Sequence, residues 1–240
     1  MLIQLENITK SFDEKIVLKN ISFSVAPGEA LAIVGFSGSG KSTVLKIISG
    51  LISPDSGKVM LGDDNIGMVF QYSALFDSLS IYENIAFALK ERKDFKEKYT
   101  ENQIKKIVKE KLKMVGLSDI EEKFPSELSG GMQKRVGFAR AIVTNPRIIL
   151  YDEPTAGLDP VSSTVIEDYI VQLKNELKAA SIVVTHQMST ITRTTDKIIM
   201  LYNSQLVWQG TPQEMLESSD PYAYQFVHAQ REGPMLTAAG

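Results

Sequence analysis

The chain has 240 residues, 43% hydrophobic and 23% charged, with 26 basic against 29 acidic side chains and a net charge of −3 at pH 7. These proportions suit a globular protein with a sizeable core and argue against a disordered chain or a strongly basic nucleic-acid surface. The absence of cysteine excludes disulfides and thiol chemistry. No apolar run reaches the ~18 residues a membrane helix requires, and Met1-Leu2-Ile3-Gln4-Leu5-Glu6 does not read as a secretory leader, so any membrane contact is expected to come through partners.

In chain order, residues 2–8 and 16–25 alternate in part between apolar and polar and read as strands. Pro27-Gly28 marks a turn, and Leu31-Ala32-Ile33-Val34 is a short buried strand. Directly after it comes Gly35-Phe36-Ser37-Gly38-Ser39-Gly40-Lys41-Ser42, the pattern GxxxxGK[ST], and then a helical run over 43–49. The glycines let successive backbone N–H groups face phosphate oxygens, and the helix that follows adds its positive N-terminal end. Lys41 is then placed to reach the β- and γ-phosphates of a nucleoside triphosphate, and Ser42 to give its hydroxyl to Mg²⁺.

Residues 58–61 and 66–70 read as two short strands around Gly62-Asp63-Asp64-Asn65, a cluster typical of tight turns. From 81 to 115 the chain reads as helical, with Ile104, Ile107, Val108, Leu112 and Val115 on an inward stripe and Lys105, Lys106, Lys109, Glu110 and Lys113 on a solvated face. Leu128-Ser129-Gly130-Gly131-Met132-Gln133 opens a further helix, to residue 144. Its hydroxyl and glycines serve either a second anion-binding helix start or an ordinary N-cap.

Ile148-Ile149-Leu150-Tyr151 is a continuous apolar strand that ends in Asp152-Glu153, where a buried strand emerges at the ligand-binding edge of a sheet. Asp152 suits Mg²⁺, directly or through water, which leaves Glu153 to orient and polarise an attacking water. A helix over 161–178, strands over 182–185, 197–202 and 205–209, and the capping box Thr211-Pro212-Gln213-Glu214 complete the pattern. Alternation of strand and helix around a phosphate loop predicts an α/β core.

These motifs, in this order, resemble the ATP-binding subunits of ABC transporters across essentially the whole chain. Residues 35–42 correspond to the Walker A motif, Gln71 to the Q-loop, 128–133 to the signature, 148–153 to Walker B, 156–159 to the D-loop and His186 to the switch histidine. The resemblance implies a P-loop core with a parallel or mixed sheet, an antiparallel β subdomain and an inserted helical lobe. The expected division is a single domain with its core at 1–80 and 146–217, its lobe at 81–145 and a C-terminal tail at 218–240. It implies ATP on Gly35, Ser37, Gly38, Ser39, Gly40, Lys41, Ser42 and Thr43, and Mg²⁺ on Ser42, Gln71 and Asp152. Catalytic roles fall to Glu153, His186, Gln71 and Lys41. Phe12 lies where the family stacks an aromatic on adenine, although an ordinary strand-end aromatic fits the same position. Two copies are implied to pair head to tail, so that Ser129, Gly130 and Gly131 of one close over the ATP held by Lys41 of the other, and Asp159 is implied as a further nucleotide-binding residue. Phe36 stands where the family commonly has proline.

The segment Tyr72-Ser73-Ala74-Leu75-Phe76-Asp77-Ser78-Leu79-Ser80-Ile81-Tyr82-Glu83-Asn84 is similar to the Mla branch, the ATPases of MCE-protein lipid transporters, as are residues 151–160, 163–168 and 220–234. That similarity implies phospholipid or a related polar lipid as cargo, an MlaE-like permease contacting residues 74–82, an MCE lipid-binding protein and no nucleic acid. The place implied is the cytoplasmic face of the inner membrane, or the stromal side of the inner envelope in a plastid. Leu75, Phe76 and Leu79 also suit simple packing between the lobes. The residues after Phe226 read equally as a free tail or as a contact on the second copy. Two other readings stay open: the ATPase of a small-solute importer, and a non-transport ABC ATPase acting on DNA or ribosomes. The latter commonly has two nucleotide domains in one chain or a long coiled-coil insert, and this sequence has neither.

Overall fold

The computed structural model describes residues 1–93, 95 and 98–236; the last four residues of the expected tail lie outside the described residues. Strands β1 (Ile3–Phe12), β2 (Lys15–Val25), β3 (Ala30–Val34), β4 (Ser56–Leu61), β5 (Ile66–Val69), β6 (Ile148–Asp152), β7 (Ala180–Val184), β8 (Lys197–Tyr202) and β9 (Gln205–Gly210) form two sheets. The smaller is antiparallel, in the order β2-β1-β4. The larger runs β5-β6-β7-β3-β8-β9, parallel except for the antiparallel edge strand β9. β3 and β7 are buried along their whole length, which explains why both are continuous apolar runs rather than alternating ones.

The helices are α1 (Lys41–Ile48), α2 (Ile81–Glu91), α3 (Glu101–Met114), α4 (Gly130–Ile142), α5 (Pro160–Leu177), α6 (Met188–Thr194), α7 (Pro212–Leu216) and α8 (Pro221–Val227). α1 and the small sheet cover one face of the large sheet, with Leu5, Leu18, Leu45, Ile48 and Ile182 in a shared core. α2 to α5 cover the other, around Ile85, Val108, Leu112, Phe138, Tyr151 and Ile170. A third core joins β3 and β8 to the C-terminal helices through Ile191, Met200, Met215 and Ala223.

Register sets the site. Ile33 of β3 and Asp152 of β6 both lie opposite Val184 of β7, and Val69 of β5 lies opposite Tyr151. The chain therefore leaves four parallel strands at one level, into Gly35, Gln71, Glu153 and His186. Functional groups at the carboxyl ends of parallel strands are the general rule for open α/β sheets.

Several elements differ from expectation. The strands at 56–61 and 66–69 lie in different sheets, so Gly62-Asp63-Asp64-Asn65 is a crossing between layers and not a hairpin turn. The helical run at 81–115 is two helices. Each starts with its own capping box, Ser80 with Glu83 and Thr100 with Gln103, because both side chains of each box satisfy backbone donors that the helix cannot. The expected stripe is inward: Ile104, Val108, Leu112 and Val115 are buried, and the five expected surface charges are exposed. α6 and α8 were not anticipated. α6 has no side-chain cap at Gln187, whereas α8 is capped by Asp220, which accepts from the N–H groups of Tyr222 and Ala223.

The C-terminal segment also folds back on its own chain. Gln225 donates from Nε2 to the carbonyl of Met235 at 2.9 Å and accepts the Met235 N–H at 2.8 Å, and Met235 is fully buried.

Candidate active site

A cleft of about 870 Å³ opens at the strand ends and is lined by Gly35, Phe36, Ser37, Gly38, Gly40, Lys41, Ser42, Thr43, Gln71, Asp152, Glu153 and His186 among others. The loop between β3 and α1 turns through left-handed backbone at Gly38 (φ 79°) and Gly40 (φ 99°). A Cβ at Gly40 would come within 2.7 Å of Leu18, so only glycine fits the floor of the loop; one at Gly38 would meet nothing and would point into open space. Ser39 contributes a buried hydroxyl with no protein partner, as expected of a loop whose polar groups serve a ligand.

Lys41 bends back over this loop and donates to the carbonyls of Gly35 and Phe36, both at 2.8 Å. Burial lowers its pKa, and the nearby Glu153 and Asp152 charges oppose that shift. Three donors on one ammonium allow it to exchange carbonyl oxygens for phosphate oxygens at little cost.

Ser42 donates to Oδ1 of Asp152 at 3.3 Å. Burial raises the Asp152 pKa and the Glu153 charge adds to it, while the Ser42 hydrogen bond and the Lys41 and Lys46 charges pull it down. Two hard oxygens side by side are the donor type that would hold Mg²⁺. Among the described residues no cluster of three or more His, Cys, Asp or Glu could hold a metal by itself. A divalent cation there would need phosphate oxygens to complete its shell, as Mg²⁺ commonly does.

Glu153 is held in left-handed backbone (φ 46°) by its N–H bond to Val184 at 2.9 Å. Strained backbone of this kind persists only where the surroundings fix it. Its Oε1 lies 3.0 Å from Nδ1 of His186, and its buried Oε2 has no partner in the protein. One carboxylate oxygen is thus oriented by the imidazole and the other is left without a hydrogen bond in the protein.

Of the remaining expected residues, Ser129, Gly131 and Asp159 line a second, smaller cleft of about 340 Å³, with Arg135 and Ser162 among others. Ser129 caps α4, accepting the Met132 N–H at 3.3 Å. Gly130 is exposed and Gly131 half-buried, and a Cβ on either would meet nothing. Asp159 caps α5 and accepts from Val161, Ser162 N–H and the Ser162 hydroxyl, bonds that hold its pKa down. The sequence left a helix cap and an anion-binding start as alternatives for Ser129; its hydroxyl acts as a cap while the open backbone beyond it stays available. Phe12 does not line the first cleft; it is half exposed, with Nζ of Lys10 5.5 Å from its ring centre.

Sequence reasoning missed several contributors. Val17, Val184, Gln225, Phe226, Ala229, Gln230 and Arg231 also line the first cleft. The last five come from α8 and beyond, and the only signal for them was the Asp220-Pro221 helix start. Lys134 of α4 was not singled out in the sequence. It donates to the carbonyls of Ala156 and Pro154, and burial lowers its pKa against the Glu153 charge.

Residues 18–156 match the family model described as ABC transporter. The chain is 44% identical over 265 residues to Protein TRIGALACTOSYLDIACYLGLYCEROL 3, chloroplastic, of Arabidopsis thaliana, covering 98% of this chain and 76% of that protein. It is 34% identical over 249 residues to the intermembrane phospholipid transport system ATP-binding protein MlaF of Haemophilus influenzae, covering 98% and 93%. Among solved structures, the dimeric post-hydrolysis state of the ATP-binding cassette MJ0796 bound to ADP and Pi aligns with a TM-score of 0.77 at 33% identity, covering 88% of this chain and 98% of that one. With the phosphate loop, the paired carboxylates and the histidine at one sheet edge, and with these matches over most of its length, the chain belongs to the ABC transporter family as an ATP-binding, ATP-hydrolysing subunit.

Proposed function

We propose that this chain is the motor of an ABC transporter that moves phospholipid or a related polar lipid between membranes. The observation that carries the cargo is the near full-length similarity to a protein named for intermembrane phospholipid transport. The chain would lie peripherally, on the cytoplasmic face of the inner membrane or the stromal side of a plastid envelope; no described helix is long and apolar enough to cross a membrane.

In this reading the triphosphate lies along residues 35–43, with Lys41 moving from the Gly35 and Phe36 carbonyls to the β- and γ-phosphates. Ser42, Asp152 and Gln71 would hold Mg²⁺, which neutralises charge on the β- and γ-phosphates when bound. The free Oε2 of Glu153 accepts a proton from water as the water oxygen bonds to the γ-phosphorus and the bond to the β–γ bridging oxygen breaks. ADP and phosphate leave, and the proton passes to solvent. His186, bonded to the other Glu153 oxygen, fixes that carboxylate and faces the γ-phosphate. Phe12 would meet adenine from the edge of the cleft. The lobe at 81–145 would carry Ser129, Gly130 and Gly131, with Asp159 beside them, onto the ATP of a second copy.

The surface at 74–82 supports the permease assignment because it is both apolar and preformed. Tyr72 is 81% exposed and Phe76 45% exposed, with the Phe76 ring 5.2 Å from that of Phe87. Leu75, by contrast, packs against the lobe core. Buried Asn84 accepts the Phe76 N–H and donates to carbonyls at Phe76, Leu79 and Ser80. Arg140 of α4 donates to the carbonyls of Ser73 and Ala74 at 2.9 and 2.8 Å. An MlaE-like permease is the expected partner there, with an MCE protein beyond it.

Affinity purification from native membranes tests this reading. Co-purification of a multi-span permease, an MCE protein and phospholipid is the expected outcome. A solute permease, or ribosomal or DNA-associated proteins, would overturn the cargo and leave the ATPase.

A further inference from the structure

Behind the cleft, a row of buried polar side chains joins the loop after Glu153 to the helix after His186. Thr155 and Thr190 are both fully buried. The Thr155 hydroxyl donates to Oε1 of Gln187 at 3.0 Å and lies 3.1 Å from the Thr190 hydroxyl. Thr190 donates to Oε1 of Glu167 at 2.8 Å, and Nε of Arg193 lies 3.0 Å from Oε2 of the same carboxylate. Two hydroxyl protons serve three contacts here, so the row also depends on Gln187, whose amide, turned end for end, supplies the third. Arg193 is half exposed and also bonds Asp168 at 2.7 Å.

Glu167 is 1% exposed in the middle of α5. A carboxylate taken from water at such a position costs several kcal/mol unless it is paired and bonded, and packing alone would be served as well by an apolar residue. Both of its oxygens are satisfied by α6, one through Thr190 and one through Arg193. α5 begins at Asp159, in the second cleft, and α6 begins just after His186, in the first. The buried row therefore clamps together two helices whose N-terminal ends reach different clefts.

We propose that Thr155, Glu167 and Thr190 are positioning residues that lock α5 to α6. The lock holds His186 in register with Glu153 and ties that register to whatever docks at Asp159. This rests on the roles given above to Glu153 and His186. None of the three lines the first cleft, so removing one loosens the His186 to Glu153 geometry without altering the phosphate loop.

The test is steady-state ATP hydrolysis by the purified full chain, with ATP affinity measured separately. Thr190→Val, which keeps the volume and removes the hydroxyl, is expected to lower kcat about tenfold, in the range a misplacement of under an ångström costs. KM and ATP affinity are expected to stay within about twofold of the unsubstituted chain. Glu167→Gln, of the same shape, is expected to do likewise, and Thr190→Ser to restore kcat. Thr144→Val is the control: Thr144 is similarly buried and bonds Asn65 at 2.8 Å, far from the cleft. A kcat loss as large in Thr144→Val, a Thr190→Val enzyme within twofold of normal, or equal movement of kcat and KM would overturn the proposal. Glu153→Gln in the same assay separates the two layers: if it hydrolyses normally, the site reading itself falls, and if it is dead while Thr190→Val is normal, only the lock falls.

Discussion

The two clefts differ in what they hold. The larger gathers a cation, two carboxylates, an imidazole and a phosphate loop within one space, with one buried carboxylate oxygen of Glu153 left without a partner. The smaller has an open helix start, two glycines with free space where a Cβ would be, and a capped carboxylate, but none of the hydrolytic groups. Under the proposed function the first is a reaction site open on one side and the second its lid on another copy. In the proposed reading the chain's chemistry is split between surfaces that complement each other only in a second copy, and a related cassette of known structure is dimeric.

Substitutions in each cleft should break the two halves differently. Glu153→Gln is expected to lower turnover by roughly 10²–10⁴-fold while ATP still binds, since it removes the proton acceptor and spares the phosphate loop; single-turnover assays with a filter-binding control check it. Gly131→Val is expected to lower turnover by about 10²–10³-fold, the scale of losing donors to a reacting anion. Because its Cβ meets nothing within the chain, thermal stability and ATP binding by the monomer should not change, which calorimetry can confirm. Lys41→Ala is expected to weaken ATP binding itself by about 10–100-fold, the worth of charged hydrogen bonds, measured by fluorescence titration of a nucleotide analogue.

The smallest effect concerns Asp152. Its folded pKa is raised above the unfolded value by burial, so keeping it ionised at neutral pH costs the empty protein stability, and the cost disappears as pH falls through the folded pKa. Asp152→Asn should therefore raise Tm at pH 7 by about 1–2 °C, on the order of 0.5 kcal/mol for a partly exposed group. The difference should vanish in acid, and scanning calorimetry across pH reads it.

How much was legible in sequence follows the range of the forces involved. The phosphate loop and Asp152-Glu153 were readable because backbone sterics and strand ends impose local spacing on them, whereas His186 stood out only through the family resemblance. The break between α2 and α3 was also written locally, in Ser80-x-x-Glu83 and Thr100-x-x-Gln103, but helical composition across 81–115 hid it. Gly62-Asp63-Asp64-Asn65 looked like a hairpin because turn chemistry does not say which sheet the next strand joins. The contribution of Gln225 to Arg231 to the cleft depends on α8 docking against β3 and β8, a long-range packing event with no local signature. Thr155, Glu167 and Thr190 are separated by 12 and 23 positions and meet only through tertiary packing.

The most direct test exploits the lack of cysteine in the chain. Cysteines placed at the exposed Ser37, in the phosphate loop, and at Ser129, in the Glu153→Gln background, should form a disulfide on mild oxidation only when ATP and Mg²⁺ are present. The account predicts a covalent species of twice the monomer mass that needs both cysteines. Failure to cross-link with ATP bound, or a disulfide confined to single chains, would contradict the claim that each site is completed by a second copy.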